Sequence, residues 1–267
     1  MGNIISGSDF TGRLGPVSVY KMRGHDKLVI RTPGGASKSR IKNHRNFEAT
    51  RSLNREWTLV TGVAAKIRQN LSAICLLADY NISGPLNALI KKIQTSDTIN
   101  EKGKRSILFS QYPDFISSFQ FNRQTLFNSI VRQQLEINID KSSAIASVTV
   151  PVLQPAIHFF PNPRYAYYRL VISMAAASDQ IWNEESMSYK PAISVLPKYK
   201  HVSTAWVPAS STQPAATYQL SPAYKEFSTG ADMILIAGVG IQYGMPSPDG
   251  SIQPVPYAGA ARIIKCV

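Results

Sequence analysis

Side chains able to do chemistry are few in this chain of 267 residues, and their spacing is unhelpful to a catalyst. His25, His44, His158 and His201 stand far apart, whereas a metal site needs His, Cys or carboxylate clustered at ligand spacing. No metal site is expected. Cys75 lies in the apolar run Ala73–Leu77, where a buried structural thiol is expected rather than an accessible thiolate. Cys266 is penultimate and reads as incidental; an inter-chain disulfide there would need an oxidising compartment. Two distant cysteines exclude a disulfide scaffold. The G-x-S-x-G turn of hydrolases and the P-loop pattern are both absent from the sequence. Gly238, Gly240 and Gly244 follow an apolar strand, as a dinucleotide fingerprint would. The third glycine is one position late, and Met245-Pro246 follows instead of a helix. These glycines read as strand irregularity or close backbone packing. Glu184-Glu185 is the only adjacent acidic pair and reads as a solvated turn. The expectation is therefore no catalytic residue and no cofactor.

The informative chemistry is positive charge. Lys and Arg number 29 against 16 Asp and Glu, a net +13. Residues 1–105 hold 18 basic against 7 acidic residues, and residues 106–267 hold 11 against 9. Such asymmetry points to a partner of opposite sign or a surface kept soluble by charge. The candidate binding residues are Arg13, Lys21, Arg23, Lys27, Arg31, Lys38, Arg40, Lys42 and Arg45. Arg and Lys on a β-ribbon can enter a nucleic-acid groove, and Tyr20 and His25 could stack on bases. Docking on a neighbouring subunit and plain solvation are the competing readings of the same residues.

Two further stretches could bind. One is aromatic: His158, Phe159, Phe160, Tyr165, Tyr167, Tyr168 and Trp182, most of them read as core. The other, Ala192 to Ala223, carries only Lys198 and Lys200 as charges, which tilts toward packing against another molecule. Met1 to Ser6 fits the N-myristoylation pattern but reads as a polar lead-in to the first strand. Asn70 and Asn81 open formal glycosylation sequons that carry no meaning without secretion. No Sec signal is visible and no apolar run approaches about 18 residues, so no transmembrane segment is expected and the default location is the cytoplasm.

These residues must be positioned by elements that the pattern lays out in order. Val17–Met22 and Lys27–Thr32 read as a β-hairpin around a turn at Gly24–Asp26, followed by a basic linker over residues 37–45. A two-stranded ribbon is marginal alone, so it must pack on something. Leu53, Trp57, Val60, Ala64, Ile67, Leu71, Ile74 and Ala78 recur with a 3.5-residue period, the seam of a long helix that calls for a facing helix. Residues 81–85 form a turn, with Ser83 as cap and Pro85 in the first turn of a second helix bearing Leu86, Leu89, Ile90 and Ile93. Beyond Arg105 the period becomes two. Short strands are expected at 117–121, 135–140, around Val148–Val150, and at 166–174, 192–196, 204–207, 216–220, 233–243, 252–255 and 261–264, separated by Pro, Ser and Gly.

Gly12-x-x-Gly15-x-Val17-x-x-Tyr20-Lys21, then Gly24, Val29-x-Arg31, Gly34-Gly35-x-Ser37-Lys38, Phe47 and Arg51 resemble the opening of an uncharacterised family of Bacteroidota proteins. Pro151, Pro155 and Tyr167-x-Arg169 are similar to its later half in looser form. The resemblance covers the first 55 residues best and carries over no catalytic residue. It implies a bacterial protein and a recurring plan of basic β-hairpin, helical hairpin and β-domain.

The expected fold is therefore α+β: an N-terminal basic β-hairpin arm and linker over residues 1–45, an αα-hairpin over 46–105, and a larger antiparallel β-sandwich-like domain over 106–267. A hydrophobic content of 44% suffices for a core. The function expected is that of a non-enzymatic structural or interaction protein. It would self-assemble as a homo-oligomer, or dock into a larger assembly, through the basic arm and the helix seam of Leu53, Trp57, Val60, Ile67 and Leu71. Nucleic-acid binding by the same arm is the alternative, and an enzyme of unrecognised class the second.

Overall fold

The computed structural model describes residues 2–4, 11–22, 27–32 and 34–267. Arg23, His25 and the turn expected at Gly24–Asp26 lie outside the described residues. The chain divides into two compact units, Met1–Arg51 and Ser52–Val267.

In the first unit β1 (Gly2–Ile4), β2 (Gly12–Leu14), β3 (Val17–Lys21) and β4 (Leu28–Arg31) form an antiparallel sheet in the order β1-β4-β3-β2. The expected hairpin is β3 with β4, and two short flanking strands widen it, which meets the marginal stability of a lone ribbon. Gly15, at φ +54°, makes the tight turn from β2 into β3. The basic linker forms a helix, α1 (Lys38–Asn43), because the Ser37 hydroxyl accepts from the Arg40 N–H at 3.2 Å and caps it. At its far end the Arg51 guanidinium donates to the Ile41 and His44 carbonyls, both at 2.9 Å.

α2 (Glu48–Asn70) carries the chain into the second unit, where it is followed by α3 (Ser72–Cys75), α4 (Ser83–Thr95), α5 (Asp114–Ser117) and α6 (Phe127–Ile130). α4 starts at Ser83 itself. Its opening turn is tied by the Asn81 side chain, which accepts from the Ser83 N–H at 3.0 Å, and not by a Ser83 cap. The strands are β5 (Glu136–Asp140), β6 (Ile145–Val150), β7 (Tyr167–Ser178), β8 (Gln180–Asn183), β9 (Ser188–Pro191), β10 (Val202–Ser203), β11 (Val207–Pro208), β12 (Ala216–Leu220), β13 (Met233–Pro246) and β14 (Ile252–Cys266). All pairings between these strands are antiparallel. The central sheet runs β10-β7-β13-β14, with β11 also on β7; a second sheet runs β12-β6-β5, and β8 pairs with β9.

The central sheet is buried on both faces. Alternate residues of β7 and β13 (Tyr168, Leu170, Ile172, Met174; Leu235, Ala237, Val239, Ile241) join Ala146, Val148 and Val150 of the second sheet in one core. The intervening residues (Val171, Ala175, Ala177; Ile234, Ile236) join the helices in another. Hence these strands read as unbroken apolar runs instead of an alternation. The α+β architecture, with its N-terminal hairpin and antiparallel sheets, is thus as the sequence pattern implies. The helices of 46–105 and the strands after 106 share a core, so the compact units part between Arg51 and Ser52 instead of at 45 and 105.

Some strand expectations shift. Residues 117–121 are not a strand: α5 takes the first of them, and Phe119 and Phe121 are buried beside a single bridge from Gln120 to Arg262. The segments expected at 252–255 and 261–264 are one strand, β14, bent where its register against β13 shifts. Gly238 and Gly240 lie where an added Cβ would collide with Ile74 and Leu77, so the missing side chains let the turn through α3 lie close against the sheet. No helix among the described residues is long and apolar enough to cross a membrane.

Candidate functional site

The register of the N-terminal sheet brings its chemistry together. Arg13 of β2 pairs with Ser18 of β3, and Ser18 with Arg31 of β4, so the three stand in one row on one face. Tyr20, opposite Val29, occupies the next row of that face. The Arg31 guanidinium lies over the Tyr20 ring, 5.5 Å from its centroid. The opposite face carries Leu14, Val17, Val19, Leu28 and Ile30, with Lys21 at its end. Period two thus places Arg13, Arg31 and Tyr20 on one face, around the buried Val29, and the other apolar residues with Lys21 on the opposite face.

Arg13, Lys21, Lys27, Arg31, Lys38, Arg40, Lys42 and Arg45 are all exposed. None of these eight forms an ion pair among the described residues. Arg13 donates to the nearby Gly15 carbonyl, at 3.2 Å. Residues 1–51 hold 10 basic against 3 acidic residues, +7, which leaves 19 against 13, +6, for the other 216. Charge density in the first unit is therefore several times that of the second.

The second unit uses its own polar groups internally. Glu56 is fully buried on the inner face of α2. Its carboxylate accepts from Arg105 (Nε 3.0 Å, Nη2 2.7 Å), Lys91 Nζ (2.7 Å) and the Gly103 N–H (2.8 Å). Burial opposes its ionisation, but the hydrogen bonds from Arg105, Lys91 and Gly103 prevail and hold the carboxyl at about 2. Asp97 accepts from the Ile99, Asn100 and Ser106 N–H groups, shaping the loop after α4. Asp179 accepts from the Ser110 N–H and hydroxyl. Asn122 donates to the Leu77 and Gly259 carbonyls and accepts from the Ala261 N–H, tying the helical layer to β14. Desolvation pushes the Cys75 thiol up to about 11 and the Cys266 thiol up to about 12, so both remain protonated near neutrality. No group of three or more His, Cys, Asp or Glu side chains able to hold a metal ion is found among the described residues.

The seam divides. Val60, Ile67 and Leu71 are buried against the sheet and α4. Leu53 and Trp57 are 37% and 49% exposed; Glu56, one residue before Trp57, occupies the core-facing position in its place. The inner line of α2 is Glu56, Val60, Val63, Ala64 and Ile67, continued by Leu71 just beyond it, which hydropathy alone could not show since its first member is charged. Among the aromatics, Phe159 and Tyr168 pack together in the core with centroids 4.3 Å apart. Tyr165 stacks on Tyr243 at 4.8 Å and, with Phe160 and Tyr257, lines a groove of about 520 Å³. No sequence signal marks Tyr257, yet it is 81% exposed and left-handed at φ +56°. The low-charge stretch lines two shallow clefts: Val195–Lys198 with Ala223–Phe227, and Leu196–Lys198 with α2 around Lys66.

No family model, curated protein or solved structure matches the chain.

Proposed function

We propose that the protein is a non-enzymatic interaction protein that docks through its cationic N-terminal unit onto an anionic macromolecule, the second unit serving as scaffold. The observation that carries this reading is the set of eight exposed cations with no acidic partner among the described residues. Exposed charge of one sign raises the local concentration of an oppositely charged partner and speeds its arrival. The polar groups of the second unit support the non-enzymatic part of the proposal: Glu56, Asp97, Asp179 and Asn122 are each committed to backbone or ion-pair partners. Charge favours a foreign partner over a second copy, because the second unit is itself +6 and offers the arm no net acidic surface.

The test uses the full chain and a variant with the eight cations replaced by Gln. Binding to labelled polyglutamate, heparin and oligonucleotide is followed by anisotropy at about 50 mM salt, a regime in which surface charge is weakly screened. The intact chain is expected to bind at least one of them, and the variant, folded by circular dichroism, to lose that binding. Equal binding by both proteins refutes the reading. Light scattering on the intact chain separates the branches: a concentration-dependent dimer that the variant lacks would favour self-assembly instead.

A further inference from the structure

We propose that the Arg13–Ser18–Tyr20–Arg31 face of the N-terminal sheet binds single-stranded nucleic acid, with Tyr20 as a base-stacking platform and Arg13 and Arg31 as phosphate contacts. This rests on, and deepens, the anion-docking reading above.

Strand spacing fixes the scale. Arg13 and Arg31 sit on the two strands flanking β3, so their backbones are about 10 Å apart. Long guanidinium stems reach inward or outward from there to successive phosphates of an extended strand. Tyr20 lies two residues along β3 from Ser18 on the same face, so its ring stands beside the row of cations and not within it. The Arg31 guanidinium already lies over that ring at 5.5 Å. An aromatic plane flanked by positive charge matches the alternation of base and phosphate in a single strand; an acidic peptide would use the arginines and leave the ring idle.

The breadth of the sheet argues against a duplex. Four strands span about 14 Å between outer axes, more than the ~12 Å major groove that accommodates a two-stranded ribbon. Stacked, paired bases also present no free face to Tyr20. Lys38, Arg40 and Lys42 on α1 add further exposed charge.

The experiment measures anisotropy of a fluorescein-labelled oligo-dT of about twenty nucleotides, a duplex of the same length and labelled polyglutamate, across a salt series. The full chain is expected to bind the single strand at least about tenfold more tightly than the duplex. Replacing Arg13 and Arg31 together by Gln should lower the salt slope by about 1.4, since each phosphate contact on a single strand contributes about 0.7. Y20L should weaken the single strand about ten- to a hundredfold with the slope unchanged, as expected for one lost stacked base, while Y20F stays within about threefold. Y20L binding as well as the parent, or the duplex binding as well as the single strand, overturns the proposal. Polyglutamate binding without oligo-dT binding overturns it but leaves the anion-docking reading intact. Failure of both probes, and of heparin, removes the two together.

Discussion

Glu56 offers the sharpest test of how the second unit is held together. The perturbation is Glu56→Gln, which keeps the shape and removes the charge, imitating the protonated carboxyl. In the native chain this fully buried carboxylate is held at about 2 against an ordinary 4.5, burial opposing ionisation and the Arg105, Lys91 and Gly103 hydrogen bonds prevailing. A folded-state value below the unfolded one means stability present above pH ~4.5 and lost as the pH falls toward 2. About 2.5 pH units correspond to about 3 kcal/mol. That agrees with the ~3–5 kcal/mol typical of breaking a buried pair by removing one partner. Arg105 and Lys91 keep some contact with solvent, at 15% and 28% side-chain exposure, so the lower end is expected. Urea unfolding of the full chain should therefore show a deficit of about 3 kcal/mol for E56Q at pH 7, shrinking to about 1 kcal/mol at pH 3, where most of the native linkage has been lost. A deficit below about 1 kcal/mol at pH 7, or one that does not shrink with acid, refutes the clasp.

Three further outcomes follow from the packing. Gly238→Ala and Gly240→Ala each place a methyl group against the turn through α3 and should cost about 1–3 kcal/mol in the same urea assay, while Gly62→Ala, in open space on α2, should be neutral or stabilising. Val60→Ala should lower stability by about 1–3 kcal/mol, whereas Trp57→Ala should change it by less than about 1 kcal/mol, which differential unfolding of the two variants reads directly. Because desolvation keeps both thiols protonated, Cys75 and Cys266 should react with a disulfide reagent at pH 7.5 much more slowly in the native chain than in the unfolded one; equal rates would contradict their burial.

The sequence made the fold class readable where period and side were unambiguous. β12 falls at the residues its alternation indicates, and Val60, Ile67 and Leu71 are core because apolar residues three and four apart share a helix face. It misled where polar residues take core positions. Glu56 displaces Trp57 from the inside of α2 because Lys91 of α4 and Arg105 and the Gly103 N–H of the loop beyond it meet it there, and such partners leave no local periodic trace. The same holds for Asn122, whose three bonds join chain segments more than forty residues apart. Gly238 and Gly240 were legible as close packing but not as the seat of a particular helix. Of the basic residues, the sequence shows their crowding toward the N-terminus but not which of them share a face. Only strand register separates Arg13, Arg31 and Tyr20 from Lys21 on the other face.

That separation also explains why a charge count alone underdetermines function. Spread evenly, +7 over 51 residues would serve solubility as well as recognition. Register adds what the count lacks: one face of the sheet carries two guanidiniums and a ring around the buried Val29, while Val19 is buried on the other.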